Sequence, residues 1–149
     1  MVNLVDNSKV HFNYEILEKY EAGIELLGFE VKSLKAGHGS LDGAYVLVRG
    51  GEAYLTNLFI PPYQENNTPK GYEPRRNRRL LLAKKEIAEL ASKESGKMGL
   101  TVVPISIYNK SNLIKVSVAV VRGKKKHDKR ESIKKREVDR EVRREFRDR

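Results

Sequence analysis

The chain has 149 residues, 30 Lys+Arg against 20 Asp+Glu, a formal net charge of +10, no Cys and three His. That length fits one domain with at most a short appendage, and the absence of thiols excludes disulfides, iron–sulfur clusters, thiolate metal sites and Cys nucleophiles. With only His11, His38 and His127 available, no metal site is expected. No apolar run approaches the roughly 20 residues that span a bilayer, and no signal-peptide core opens the chain, so a soluble, cytoplasmic protein without membrane contact is expected. The positive excess points to a polyanionic partner, nucleic acid foremost.

Period-2 and β-branched signals dominate residues 12–121. Phe12 to Ile24 lacks Pro and is rich in Tyr and Ile, as a long strand would be. Phe29 to Lys35 carries Val31 and Leu34 at helical spacing and ends before Gly37, a usable C-cap. Ala44–Arg49 and Glu52–Ile60 flank Gly50-Gly51, a hairpin signal of the two-residue type. Pro61 to Arg79 holds four prolines and is expected to be a loop. A second helix is expected over Ala83 to Lys97, with Ile87, Leu90 and Ala91 on one face. Thr101–Tyr108 and Leu113–Val121 form a second hairpin around Asn109–Asn112, and the apolar run at the end of that strand suits burial. The predicted class is mainly β (α+β): a small, closed, antiparallel OB-like barrel with short flanking helices.

Charge is unevenly distributed. Residues 1–121 carry 16 basic and 13 acidic side chains, residues 122–149 carry 14 and 7. The second segment has few large apolar groups, so on its own it is expected to be disordered or only conditionally helical. The division predicted is therefore a body, 1–121, and a basic tail, 122–149. In the tail, Val138, Val142 and Phe146 would form a narrow apolar stripe on a helix, too weak to hold one without a binding surface.

Three features suggest binding. Arg75-Arg76-Asn77-Arg78-Arg79 gathers four guanidiniums that repel one another unless an anion lies between them, which suits phosphate; the alternative is a solvated loop. Lys124-Lys125-Lys126-His127-Asp128-Lys129-Arg130 adds to phosphate-seeking charge a ring able to stack on an unpaired base, against the alternative of a solubilising tail. Glu21 is wrong for phosphate but can accept from the Watson–Crick edge of guanine; from composition alone it is more readily a strand salt-bridge partner. Neither a phosphate-cradling Gly loop nor paired carboxylates in apolar surroundings appear, so no enzyme and no cofactor is expected.

Tyr20-Glu-Ala-Gly-Ile-Glu-Leu-Leu-Gly28, Glu30-Val-Lys-Ser-Leu-Lys-Ala-Gly37, Ala44-Tyr-Val, Gly51-Glu-Ala-Tyr-Leu55, Arg78-Arg-Leu-Leu-Leu82, Lys84-Lys-Glu-Ile87 and Gly123-Lys-Lys-Lys-His-Asp-Lys-Arg130 follow one another in an order that resembles the SsrA-binding protein family, small protein B of bacterial trans-translation. The resemblance covers nearly the whole chain. It implies an adaptor that binds the tRNA-like domain of transfer-messenger RNA (tmRNA) and brings it to stalled ribosomes with elongation factor Tu and GTP. It implies tmRNA contacts at Asn7, Lys9, Glu21, Arg76, Arg78, Arg79, Leu81 and Lys84, which moves Glu21 from salt bridge to base contact. It implies ribosome contacts, in the decoding centre and the empty mRNA channel, at Gly123, Lys124, Lys125, His127, Asp128, Lys129 and Arg130. Ala83 departs from the Asn or His frequent in the family. The free protein is expected to be monomeric, and the alternative function is a general single-strand RNA-binding protein or chaperone.

Overall fold

The structure is a computed structural model that describes residues 2–94 and 99–123. Seven strands make one antiparallel sheet: β1 (Val2–Asp6), β2 (Tyr14–Ile24), β3 (Tyr45–Arg49), β4 (Glu52–Thr56), β5 (Arg78–Leu81), β6 (Leu100–Lys110) and β7 (Leu113–Gly123), in the order β1-β6-β7-β2-β5-β4-β3. Among the described residues three α-helices accompany them: α1 (Val10–Asn13), α2 (Gly28–Lys35) and α3 (Lys84–Glu94).

Both hairpins follow from turn chemistry. Gly50 and Gly51 have φ of 59° and 75°, the left-handed pair that a two-residue turn between twisted strands requires. At the other hairpin Ser111 and Asn112 take φ of 50° and 66°, so the strands run on to Lys110 and from Leu113, and the turn is shorter than the expected four residues. Phe12 and Asn13 belong to α1 rather than to the long strand. β1, for which the period-2 reading began too late, pairs with β6. The expected loop from Pro61 ends early, because Arg78 and Arg79 are the first residues of β5.

The sheet does not close as expected. Its edge strands β1 and β3 are five residues each and are not paired with one another. The sheet instead curls until β3 lies beside β6, and α3 packs against both. Ile87 and Leu90 of α3 are buried there, so apolar side chains fill the gap that a closing ladder would otherwise span. The core joins Leu34, Leu41, Val46, Leu55, Leu58, Ile60, Leu80, Ile107, Val116 and Val118. Val10, Val103, Ala119 and Val121 form a smaller cluster that includes α1, so β6 and β7 are apolar on successive residues. No helix among the described residues is long and apolar enough to cross a membrane.

A buried ion network ties helix, loop and sheet. Glu30 and Arg78 are both 0% exposed. Glu30, at the start of α2, accepts from the Leu27 amide at 2.8 Å and from Arg76 Nη2 at 2.5 Å on Oε1. Its Oε2 accepts from Arg78 Nε at 2.8 Å and from Tyr72 Oη at 2.9 Å. Arg78 Nη2 donates to Glu30 Oε2 at 2.5 Å and to Tyr72 Oη at 3.1 Å as well, and the guanidinium also donates to the carbonyls of Leu58, Arg76 and Pro74. Burial pushes the Glu30 carboxyl up, but Arg76, the Leu27 amide and Arg78 outweigh it and hold the carboxyl below its ordinary value.

Removing one partner leaves the other charge buried and unpaired, so Arg78→Ala should cost about 3–5 kcal/mol in urea denaturation. Arg79→Ala, one residue on but exposed, should leave the midpoint near wild type. Because the folded Glu30 value is depressed, its contribution is present at neutral pH and is lost as pH falls below about 4.5, the ordinary glutamate value. Glu30→Gln should therefore flatten the acid limb of the stability profile; an unchanged limb would assign acid unfolding to other carboxylates.

Candidate nucleic-acid interface

Two parallel rows cross the outer face of the sheet near the end of β2. In one, Gly23 faces Leu81 of β5 on one side and Lys115 of β7 on the other, and Lys115 faces Tyr108 of β6. In the other, Glu21 faces Ser117, which faces Ser106. Gly23 has no side chain to fill the space between Leu81 and Lys115, and a groove of about 320 Å³ opens there, bordered also by Lys35, Asn112 and Leu113. Leu81 is 47% and Leu113 59% exposed, in a groove that Lys35 and Lys115 also line. An apolar floor with two ammonium groups at the rim suits the flat face of an unpaired base and its phosphate.

Glu21 stands beside this groove with its carboxylate exposed. Its Oε2 accepts from Tyr108 Oη at 2.5 Å, and Lys110 Nζ lies 3.3–3.4 Å from both oxygens. The Tyr108 hydrogen bond, with Lys110 and Lys115, holds the carboxyl below the usual glutamate range despite some desolvation. Burial, with the same contact adding to it, pushes the Tyr108 phenol up to about 12. At neutral pH Glu21 is thus an ionised acceptor, the state that receives base N–H donors.

The arginine cluster is arranged otherwise than its sequence suggests. An anion does lie among the guanidiniums, but the chain supplies it. Arg76 and Arg78 are paired with Glu30, and Arg78 has no exposed surface with which to touch a ligand. Arg79 meets Glu52 at 2.8 and 3.2 Å and Glu25 at 3.1 Å. Arg75 bonds Asn57 and lies 4.9 Å over the Phe59 ring. Lys84, the first residue of α3, is exposed, as is Ala83 before it.

Asn7 and Lys9 lie elsewhere. They border a separate hollow of about 240 Å³ with Asn13, Tyr14 and Asp42, and Asn7 donates to the Pro104 carbonyl at 3.0 Å. Tyr14 and Gly23 mark opposite ends of β2, about 30 Å apart at the rise of a strand. Asn7 and Lys9 therefore lie at one end of β2, and Glu21 and Leu81 at the other. Tyr14 faces Gly123, so β7 runs two residues past the expected body boundary and ends near Asn7 and Lys9. Lys124, Lys125, His127, Asp128, Lys129 and Arg130 lie outside the described residues. Lys115 was not among the expected contacts; its sequence signal is its place two residues before Ser117, on the same face.

A profile of the SmpB protein family matches residues 4–148. An SsrA-binding protein of Gloeothece citriformis is 48% identical over 141 residues, covering 95% of this chain and 90% of its own. One from Chlorobaculum tepidum is 49% identical over 142 residues, covering 95% and 89%. A solved structure described as "tmRNA-SmpB: a journey to the center of the bacterial ribosome" contains a chain with 42% identity and a TM-score of 0.68, covering 86% of this chain and 92% of that one.

The groove depends on the missing side chain at position 23, where a Cβ would stand 3.2 Å from Leu81 Cβ. Gly23→Ala should shift the Leu81 methyl resonances and leave those of core Leu55 and Val118 in place. Unmoved Leu81 methyls would show that other residues set the groove.

Proposed function

The chain belongs to the SmpB family, and we propose that it is a non-enzymatic RNA-binding adaptor that recognises the tRNA-like domain of tmRNA and delivers it to stalled bacterial ribosomes in the cytoplasm. The observation that carries this reading is the separation of two different chemistries along β2. At one end stand the ionised Glu21, the leucine-floored groove, Lys35 and Lys115, a set suited to a shaped RNA with unpaired bases. At the other end β7 stops at Gly123, opposite Tyr14, and the sequence that follows, 124–149, holds 13 basic and 7 acidic residues. In this assignment Glu21, Leu81 and Lys115 touch tmRNA, with Lys84 at the edge. Arg78 acts from within by holding α2 and β5 together, and Asn7 and Lys9 work with the tail on the ribosome side.

Residues 124–149, with Lys124, Lys125, His127, Asp128, Lys129 and Arg130, then serve the decoding centre and the mRNA channel. Their charge supplies affinity for ribosomal RNA. The volume of the segment supplies the test of vacancy, since a channel filled by mRNA has no room for it. Elongation factor Tu with GTP joins through the alanylated RNA, and the free protein acts as a monomer.

Truncation after Gly123 should leave affinity for tmRNA close to wild type in filter binding and abolish peptide tagging on stalled ribosomes. Equal loss of both would refute the division of labour, and equal displacement by bulk tRNA and tmRNA would favour a general RNA chaperone. Lys115→Ala should lower the slope of log affinity against log salt by about one. Arg79→Ala should leave that slope unchanged, because Glu52 and Glu25 already neutralise the guanidinium.

A further inference from the structure

Tyr108 is 5% exposed, yet its hydroxyl ends on a carboxylate that faces solvent. The two residues are not on neighbouring strands: Glu21 is on β2, Tyr108 on β6, and β7 runs between them. Glu21 can reach across because the residue it faces on β7 is Ser117, which in turn faces Ser106. Two small side chains leave the path low, and Oε2 settles 2.5 Å from the phenol oxygen.

The contact has a directional consequence. A glutamate on an open strand samples several rotamers, and fixing it on binding costs conformational entropy. Here the phenol takes Oε2 beforehand, and Lys110 adds a looser hold of 3.3–3.4 Å on both oxygens. Oε1 has no closer partner than that lysine among the described residues. It is left for a donor that arrives from outside.

We propose that Tyr108 is a positioning residue for RNA recognition: its hydroxyl anchors Glu21 through Oε2 so that Oε1 is presented, already oriented, to the N–H donors of an unpaired base, guanine above all. The inference rests on the reading of Glu21 as a base contact. It adds that the specificity of that contact is built by a buried residue that itself touches no RNA. A preorganised acceptor discriminates because only a base edge with donors in the right place satisfies it.

The test uses the full-length protein and a transcript of the tRNA-like domain of tmRNA, with four forms: wild type, Tyr108→Phe, Glu21→Gln and the double variant. Tyr108→Phe keeps the ring and removes the hydroxyl. Its affinity should fall about three- to tenfold, the cost of ordering one freed glutamate side chain on binding, with the salt slope unchanged. The double variant should bind no more weakly than Glu21→Gln alone, since the hydroxyl acts only through that carboxylate. In the free protein, the carboxyl carbon of Glu21 should titrate at higher pH in Tyr108→Phe than in wild type, which a role in packing would not produce. Wild-type affinity for Tyr108→Phe beside a weakened Glu21→Gln would overturn the proposal, as would losses that multiply in the double variant or an unmoved Glu21 titration. If Glu21→Gln itself binds like wild type, the base-contact reading of Glu21 fails first, and the positioning role falls with it.

Discussion

The pairing of Glu30 with Arg78 holds the rest of the molecule in place. A carboxylate and a guanidinium without solvent exposure are costly to bury, and they persist because every polar atom in the pair is engaged. Through them the first turn of α2 is joined to β5, the segment from Leu58 to Pro74 is drawn in by its carbonyls, and Tyr72 is oriented against Phe29 at a ring distance of 4.7 Å. Leu80 and Leu81, two and three residues after Arg78, then fall on opposite faces, one into the core and the other to the groove. The groove is thus supported from beneath by an ion pair that has no exposed surface.

A second constraint is the internal neutralisation of the arginines. Glu30, Glu52 and Glu25 occupy the guanidiniums of Arg76, Arg78 and Arg79. A body that met RNA with a bare arginine cluster would bind any phosphate backbone and would lose selectivity at low salt. Leaving lysines at the rim of an apolar groove, with one ionised carboxylate beside it, ties affinity to the shape of the ligand and to its base edges. Most of the net charge is placed in the sequence after residue 121, where undirected attraction is useful.

The long strand β2 sets the distance between the two hollows. Its ends are fixed by register with β7, Gly23 against Lys115 and Tyr14 against Gly123. The groove at Gly23 and the hollow beside Tyr14 are therefore held about 30 Å apart, at the rise of a strand.

What the residues alone determined was local. Gly50-Gly51 and Asn112 impose left-handed turns, and these set both hairpins. Val31, Leu34, Ile87 and Leu90 at helical spacing place α2 and α3, and the ordered motifs from Tyr20 to Arg130 identify the family. What tertiary structure decided were partnerships between distant residues. Arg78 and Glu30 are 48 positions apart, and nothing in a run of arginines reveals that its counter-ion comes from a helix. Tyr108 and Glu21 are 87 apart and meet across β7, where the residue facing Glu21 is the small Ser117. Whether the sheet closes likewise depended on α3 packing against β3 and β6, a contact that hydrophobic periodicity cannot specify because it fixes which face is apolar but not what covers it.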